Sequence, residues 1–104
     1  MDDQKSLRKI IDLDLLIHTP ARLAILIFLL PRIQATFPDM LEALQLTSGN
    51  LSSHIKKLSV GELVEVEKIF IGDKPTTKIN ITPQGRQAVL EYASILNSAL
   101  DKIE

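Results

Sequence analysis

The run Leu23–Leu30 is apolar at every position, and this constrains the chain more than any other stretch. Thr19–Pro20 stands just before it, a hydroxyl at an N-cap followed by proline at the first helical position, where the missing N–H costs nothing. Pro31–Arg32 follows and is expected to stop the helix. Eight apolar residues fall far short of the roughly 20 that a bilayer span needs. The run therefore reads as a helix, Pro20–Leu30, apolar on every side and buried on most of its circumference, the central beam of a small fold. At 104 residues the chain is one domain. Phe28, Phe37, Phe70 and Tyr92 are its aromatic residues, so the core must be aliphatic, which favours helices.

Around the beam, residues 4–17 carry Leu7, Ile10 and Ile11 at helical spacing, then the crowded Leu13, Leu15, Leu16 and Ile17, which suit either a continued helix or an irregular turn. Arg22 is expected to pair with Asp12 or Asp14. Ala35–Phe37 suits a stub of strand before Pro38, and Pro38–Leu44 a short helix with Met40, Leu41 and Leu44 on one side. The stretch Thr47–Val64 is the most tool-like part of the chain. Thr47 caps a helix Ser48–Val60 whose Leu51, Ile55 and Leu58 line one face. Its other face carries Gly49, Asn50, Ser53, Lys56 and Lys57, and no acid occurs from Thr47 to Gly61, which suits a polyanion. The short link between the two helices is that of a helix-turn-helix.

Leu63–Ile71 is rich in β-branched residues and reads as a strand; Gly72–Pro75 makes a turn, and Thr76–Ile81 returns with Ile79 and Ile81 on one face. Thr82–Pro83 repeats the hydroxyl-proline start, opening a helix from Pro83 to about Ile103. On that helix Val89, Ala93, Leu96, Leu100 and Ile103 recur at spacings of 4, 3, 4 and 3, widened by Tyr92 and Ala99. A helix of about 20 residues reaches ~30 Å, beyond so small a body, so a helix of a second subunit is its expected neighbour.

Net charge is −1, with 12 Lys and Arg against 13 Asp and Glu, which counts against a strong non-specific nucleic-acid binder. The charges are segregated, however: Lys56 and Lys57 lie on the helix, and Glu62, Glu65 and Glu67 follow it. Without cysteine the chain has neither disulfides nor thiolate metal sites. Acids rather than Lys or Arg open the sequence, so no signal peptide is read and a cytoplasmic protein is expected. His18 and His54 have no companions for a metal site and suit structural roles. Ser48, Ser52 and Ser53 lack a nucleophile-elbow setting. The expectation is no catalytic residue, no metal and no cofactor.

Several segments together resemble the winged helix-turn-helix transcriptional regulators of the arsenical-resistance and multiple-antibiotic-resistance regulator superfamily, in its small archaeal-type, single-domain form. Ile17–Leu23 resembles the segment entering the first core helix. Leu46–Leu58 resembles the recognition helix, Leu63–Val64 its exit into the wing, and Ile81–Arg86 the junction from wing to last helix. Two departures stand out. The exit reads Val60–Gly61–Glu62–Leu63, where the family usually has glycine directly before the leucine, and the wing tip Gly72–Pro75 has one cation and one anion where members often have several cations.

The expected fold is mainly α with a small β-hairpin (α+β): an N-terminal helix in 1–18, a winged core in 19–81 and a dimerisation helix in 82–104. The resemblance implies a homodimeric, sequence-specific binder of double-stranded DNA that regulates transcription at an inverted-repeat operator. The recognition helix would lie in the major groove and the wing, 70–77, on the minor groove or backbone. Expected DNA contacts are Thr47, Ser48, Gly49, Asn50, Ser53, Lys56, Lys57, Lys74, Thr76 and Lys78. Expected dimer contacts are Leu7, Ile10, Ile11, Val89, Tyr92, Ala93, Leu96, Leu100 and Ile103. A small effector is compatible with the sequence, but nothing marks a pocket for it. The near-neutral charge and the acids by the wing leave a second reading, a winged helix whose groove face binds a protein of the transcription machinery.

Overall fold

A computed structural model describes residues 2–101. The elements run α1 (Asp2–Ile11), α2 (Pro20–Arg32), β1 (Gln34–Thr36), α3 (Phe37–Leu44), α4 (Ser48–Val60), β2 (Val64–Ile71), β3 (Lys74–Ile81) and α5 (Pro83–Leu100). The architecture is helical with a three-stranded antiparallel sheet in the order β1-β3-β2.

The apolar run does form the beam. Ile25, Leu26 and Leu29 of α2 are fully buried, and the helix packs against α3, α4, α5, β1 and β3. It is not buried all round, since Ile27 is half-exposed. Nor does Pro31 stop it, because the helix runs on to Arg32. The hydrogen bond that Pro31 forgoes is to the Ile27 carbonyl, and both residues lie on the watered side, where solvent can serve that oxygen. The stop comes at Ile33, whose φ of 72° leaves the helical region while its N–H still reaches the Leu29 carbonyl.

Threonine hydroxyls cap three helices: Thr47 accepts from the Asn50 N–H and Thr82 from Gly85, as their sequences suggest, and Thr36, placed by its sequence in a strand stub, accepts from Asp39. Thr19 does not. Its hydroxyl donates to the Leu15 carbonyl at 2.7 Å and accepts from Arg22 at 2.9 Å. The first helix ends at Ile11, and residues 12–19 are a turn. The Asp14 carboxylate holds that turn by accepting the Leu16 N–H, which lets Ile17 enter the core while Leu15 points out. Arg22 pairs with neither expected acid. It donates from Nε to the Leu16 carbonyl at 2.7 Å and from Nη2 to the Leu15 carbonyl at 2.9 Å, clamping the turn by its backbone.

The exit from α4 resolves the departure seen there. Leu63 N–H bonds to the Leu58 carbonyl and Glu62 N–H to the Ser59 carbonyl, the paired bonds of a Schellman motif. The left-handed residue such a motif needs is Glu62, at φ 64°, not Gly61, at φ −80°. Gly61 has another reason: a Cβ there would run into the Leu16 side chain. A side chain at positive φ costs about 1 kcal/mol against glycine. Glu62→Gly should therefore raise stability by about 1 kcal/mol, read as a higher denaturation midpoint at unchanged denaturant dependence.

In the wing, Ile71 pairs with Lys74 across the two-residue turn Gly72–Asp73, with Gly72 at φ 63° as a type II′ turn requires. The return strand thus starts two residues earlier than expected and includes Pro75. It can, because β1 pairs only with residues 78–80 of β3, leaving the strand beside Pro75 open to water. Thr82 then latches α5 to the α4 exit, donating from its hydroxyl to the Glu62 carbonyl at 2.7 Å while its N–H bonds to the Leu63 carbonyl.

Candidate nucleic-acid interface

The helix-turn-helix is built by local chemistry. Gln45 closes α3 in the left-handed region, its N–H on the Leu41 carbonyl and its side-chain amide on the Glu42 carbonyl at 2.8 Å. Thr47 then opens α4, whose Leu51, Ile55 and Leu58 are buried toward the body. The opposite stripe, Gly49, Ser52, Ser53, Lys56, Lys57 and Val60, recurs at spacings of three and four and is exposed throughout. Thr47, Ser48 and Asn50 are exposed at its N-terminal end. Every residue expected on this helix is therefore presented on one surface. Ser52, one turn from Lys56, also belongs to it; the same i, i+4 count that found the buried face would have found it. Around Gly49 there is open space, so no packing requirement explains the glycine.

His54 sits half-buried at the edge of this face. Its Nδ1 lies 3.3 Å from Nη1 of Arg22, which donates to it, so the ring is a neutral acceptor. Burial, then the charges of Arg22 and Lys57, hold it below the usual histidine range. His18 shares a 2.8 Å hydrogen bond with the Tyr92 hydroxyl, tying the 12–19 turn to α5.

Strand parity divides the wing. Residues paired across β2 and β3 share a face, so Val66–Ile79, Lys68–Thr77 and Phe70–Pro75 lie on the face that carries the buried Val64 and Ile79. That face looks toward α4: Val66, Lys68 and Thr77 border a groove of about 420 Å³ whose other wall is Ser52, Lys56 and Ser59. The expected wing contacts Lys74, Thr76 and Lys78 lie on the reverse face, with Glu65 and Glu67. There Lys78 is engaged by Glu67 at 3.3 Å. A hydrogen bond from Asn80 first, and Lys78 second, hold the Glu67 carboxyl below its ordinary range. Lys68 escaped sequence reading because a strand's two faces become distinct only once its partner and register are known.

The expected dimer residues divide as well. Val89 and Tyr92, at 5% and 8% exposure, belong to the chain's own core and are unavailable to a partner. Leu96 and Ile10 are half-buried, whereas Leu7, Ile11, Ala93 and Leu100 are exposed, as are Leu15 and, in part, Leu90. Ile103 lies outside the described residues. Helices α1 and α5 pack together as an arm, and the molecule measures 59 × 25 × 21 Å. A hollow of about 650 Å³ lies where the arm joins the body, bordered by Lys9, Asp12, Leu16, Gly61, Glu91 and Tyr92. No helix among the described residues is long and apolar enough to cross a membrane.

Residues 21–100 match the family model of the winged helix DNA-binding domain. The chain belongs to that family. A winged helix of similar sequence is the transcriptional regulator homologue protein of Pyrococcus horikoshii: its structure is 37% identical, with a TM-score of 0.89, over 96% of this chain and 98% of that one. MepR, a transcription regulator of a Staphylococcus aureus multidrug efflux pump, shares the fold at 21% identity and a TM-score of 0.71, over 98% of this chain and 73% of its own. An uncharacterized protein of Methanocaldococcus jannaschii is 43% identical over 56 residues, 54% of this chain and 61% of that relative, so the match spans less than two thirds of that protein. The winged helix read from Leu46–Leu58 and Ile81–Arg86 thus holds, in family and in fold. At the α4 exit of this winged helix, Glu62 adopts the left-handed conformation that glycine would supply.

Proposed function

We propose that this winged helix is a homodimeric, sequence-specific transcriptional regulator, each subunit laying α4 in the major groove of an inverted-repeat operator. One observation carries the reading: the exposed stripe of α4 holds small polar groups and two lysines with no acid, on the second helix of a helix-turn-helix. Ser48, Gly49, Asn50, Ser52 and Ser53 are small enough for close approach to base edges, and Asn50 can make a bidentate contact to adenine. Lys56 and Lys57 reach phosphates, which position the protein without reading sequence. Thr47 caps the helix and keeps a hydroxyl proton for a backbone oxygen.

Pairing through the α1–α5 arm is supported by its exposed Leu7, Ile11 and Leu100. Two-fold symmetry then puts half-site centres about one helical turn, ~34 Å, apart. A ligand in the hollow at the root of the arm would bear on α5 and the α4 exit together, since Gly61 and Tyr92 both border it.

Selection of bound duplexes from a random pool is the direct test and should enrich an inverted repeat. On that operator, Lys57→Ala should weaken all sequences alike, while Asn50→Ala should cost about tenfold in discrimination at one position of each half-site. No enrichment at low salt, together with recovery of a protein ligand, would favour the protein-binding reading. Sedimentation should give twice 11.6 kDa at micromolar concentration.

A further inference from the structure

We infer that the wing meets the DNA backbone with the face turned toward α4, using Lys68 as its cation and the Phe70–Pro75 pair as an apolar tip, and not with Lys74, Thr76 and Lys78. The inference rests on the DNA-binding reading above and assigns which half of the wing serves it.

Charge decides between the faces. Among the described residues, neither the outward stripe of α4 nor the α4-side face of the wing bears an acid, so Lys56 and Lys68 make the groove between helix and hairpin cationic, with Lys57 next to Lys56 on the same acid-free stripe. The reverse face carries Glu65 and Glu67 beside Lys74 and Lys78, two acids against two cations, and the ion pair with Glu67 occupies Lys78. A polyanion approaching α4 therefore encounters attraction on the near face and a balanced field on the far one.

Geometry agrees. Lys68 is exposed, and its ammonium is held 2.9 Å from the Thr77 hydroxyl. That contact uses one of three ammonium protons and leaves two for a phosphate oxygen, while the hydroxyl keeps its own proton for a second one. Ser52 and Ser59 face Lys68 from the opposite wall. Beyond it Phe70, 71% exposed, stands opposite the exposed Pro75, so the pair presents an apolar tip to solvent. Against a duplex seated on α4, this tip lies beyond the lysine along the same face, where deoxyribose and the minor-groove wall present apolar surface. The wing then supplies fit from Phe70 and one charge from Lys68, consistent with a tip poor in cations.

Salt titration of affinity on the selected operator separates the alternatives. With Lys56, Lys57 and Lys68 of both subunits on phosphates, log affinity should fall against log salt with a slope of about −5.4. Lys68→Gln should bind about tenfold more weakly with a slope shallower by about 1.8, because two phosphates per dimer lose their partner. Phe70→Ala should lose affinity severalfold at unchanged slope, as an apolar contact must. Lys74→Gln and Lys78→Gln should keep the wild-type affinity and slope. Wild-type behaviour of Lys68→Gln, or the loss appearing in Lys74→Gln or Lys78→Gln instead, overturns this assignment while leaving the DNA-binding reading intact. A wild-type protein that enriches no sequence overturns both.

Discussion

Gly85→Ala should lower stability by about 3 kcal/mol, although glycine to alanine inside a helix ordinarily raises it by up to about 1 kcal/mol. Gly85 is the third residue of α5, and a Cβ built there runs into the carbonyl group of Leu63 and presses on the Ile81 side chain. The obstacle is backbone, and it is immobilised. The Leu63 carbonyl already accepts the Thr82 N–H at 3.1 Å, and its residue closes the Schellman motif through the Leu58 carbonyl. Relief requires lifting α5 from the α4 exit, which would break the Thr82 hydroxyl bond to Glu62 as well. At fixed protein concentration the melting temperature should fall by roughly 15 °C. Gly49→Ala is the control: nothing lies within contact distance of a Cβ there, so it should be neutral or mildly stabilising. Equal behaviour of the two variants would refute the close packing of α5 on Leu63.

Arg22→Met should destabilise by about 2 kcal/mol, the second largest expected effect. The guanidinium is half-buried and supplies the Leu15 and Leu16 carbonyls, the Thr19 hydroxyl and His54 Nδ1 together. Methionine keeps the bulk but leaves the Leu16 carbonyl and His54 Nδ1 without that donor, while the Leu15 carbonyl keeps the Thr19 hydroxyl, and a stranded buried acceptor costs about 1–3 kcal/mol. Lysine should restore only part of the loss, because one ammonium cannot span the fork that reaches two carbonyls and a ring nitrogen. Denaturant midpoints of the three proteins give the ordering directly.

A pH signature accompanies it. His54 has a folded-state pKa below its unfolded value near 6.5, through burial first and the Arg22 and Lys57 charges next. Below that value the unfolded chain binds the proton more readily, so this contribution is present above about pH 6.5 and is lost as pH falls through it. His54→Gln should flatten that limb of the stability profile. Arg22→Met should shrink it without removing it, since the burial remains.

Much of the fold was legible in residues close together in sequence. The bounds of α4, its cap at Thr47 and its buried Leu51, Ile55 and Leu58 follow from hydrogen bonds and periodicity within one or two turns. So does the start of α5 at Pro83, whereas β1 and the start of α3 each lie one residue earlier than Ala35–Phe37 and Pro38, because Thr36 ends the strand and caps the helix. The exposed, acid-free stripe was legible for the same reason, because one helix displays both its faces at once. Pro31 was misread because a proline in a last turn is tolerated when the freed carbonyl faces water, which is a fact about burial rather than about proline.

By itself, then, the sequence determined which segments are helix or strand, that Thr47 and Thr82 cap two of the helices, and that the second helix of the helix-turn-helix is acid-free outward. Only the tertiary structure decided which partners those segments take. Gly61 makes room for Leu16, Gly85 for Leu63, Arg22 serves two carbonyls rather than an acid, and His18 meets Tyr92 from 74 residues away. It likewise drew Val89 and Tyr92 into the core while leaving Leu100 outside, and turned Lys68 rather than Lys74 toward α4. Backbone propensity and capping act within a turn or two of chain, so they can be read in order. Packing and charge are settled between surfaces that meet only after the chain has folded.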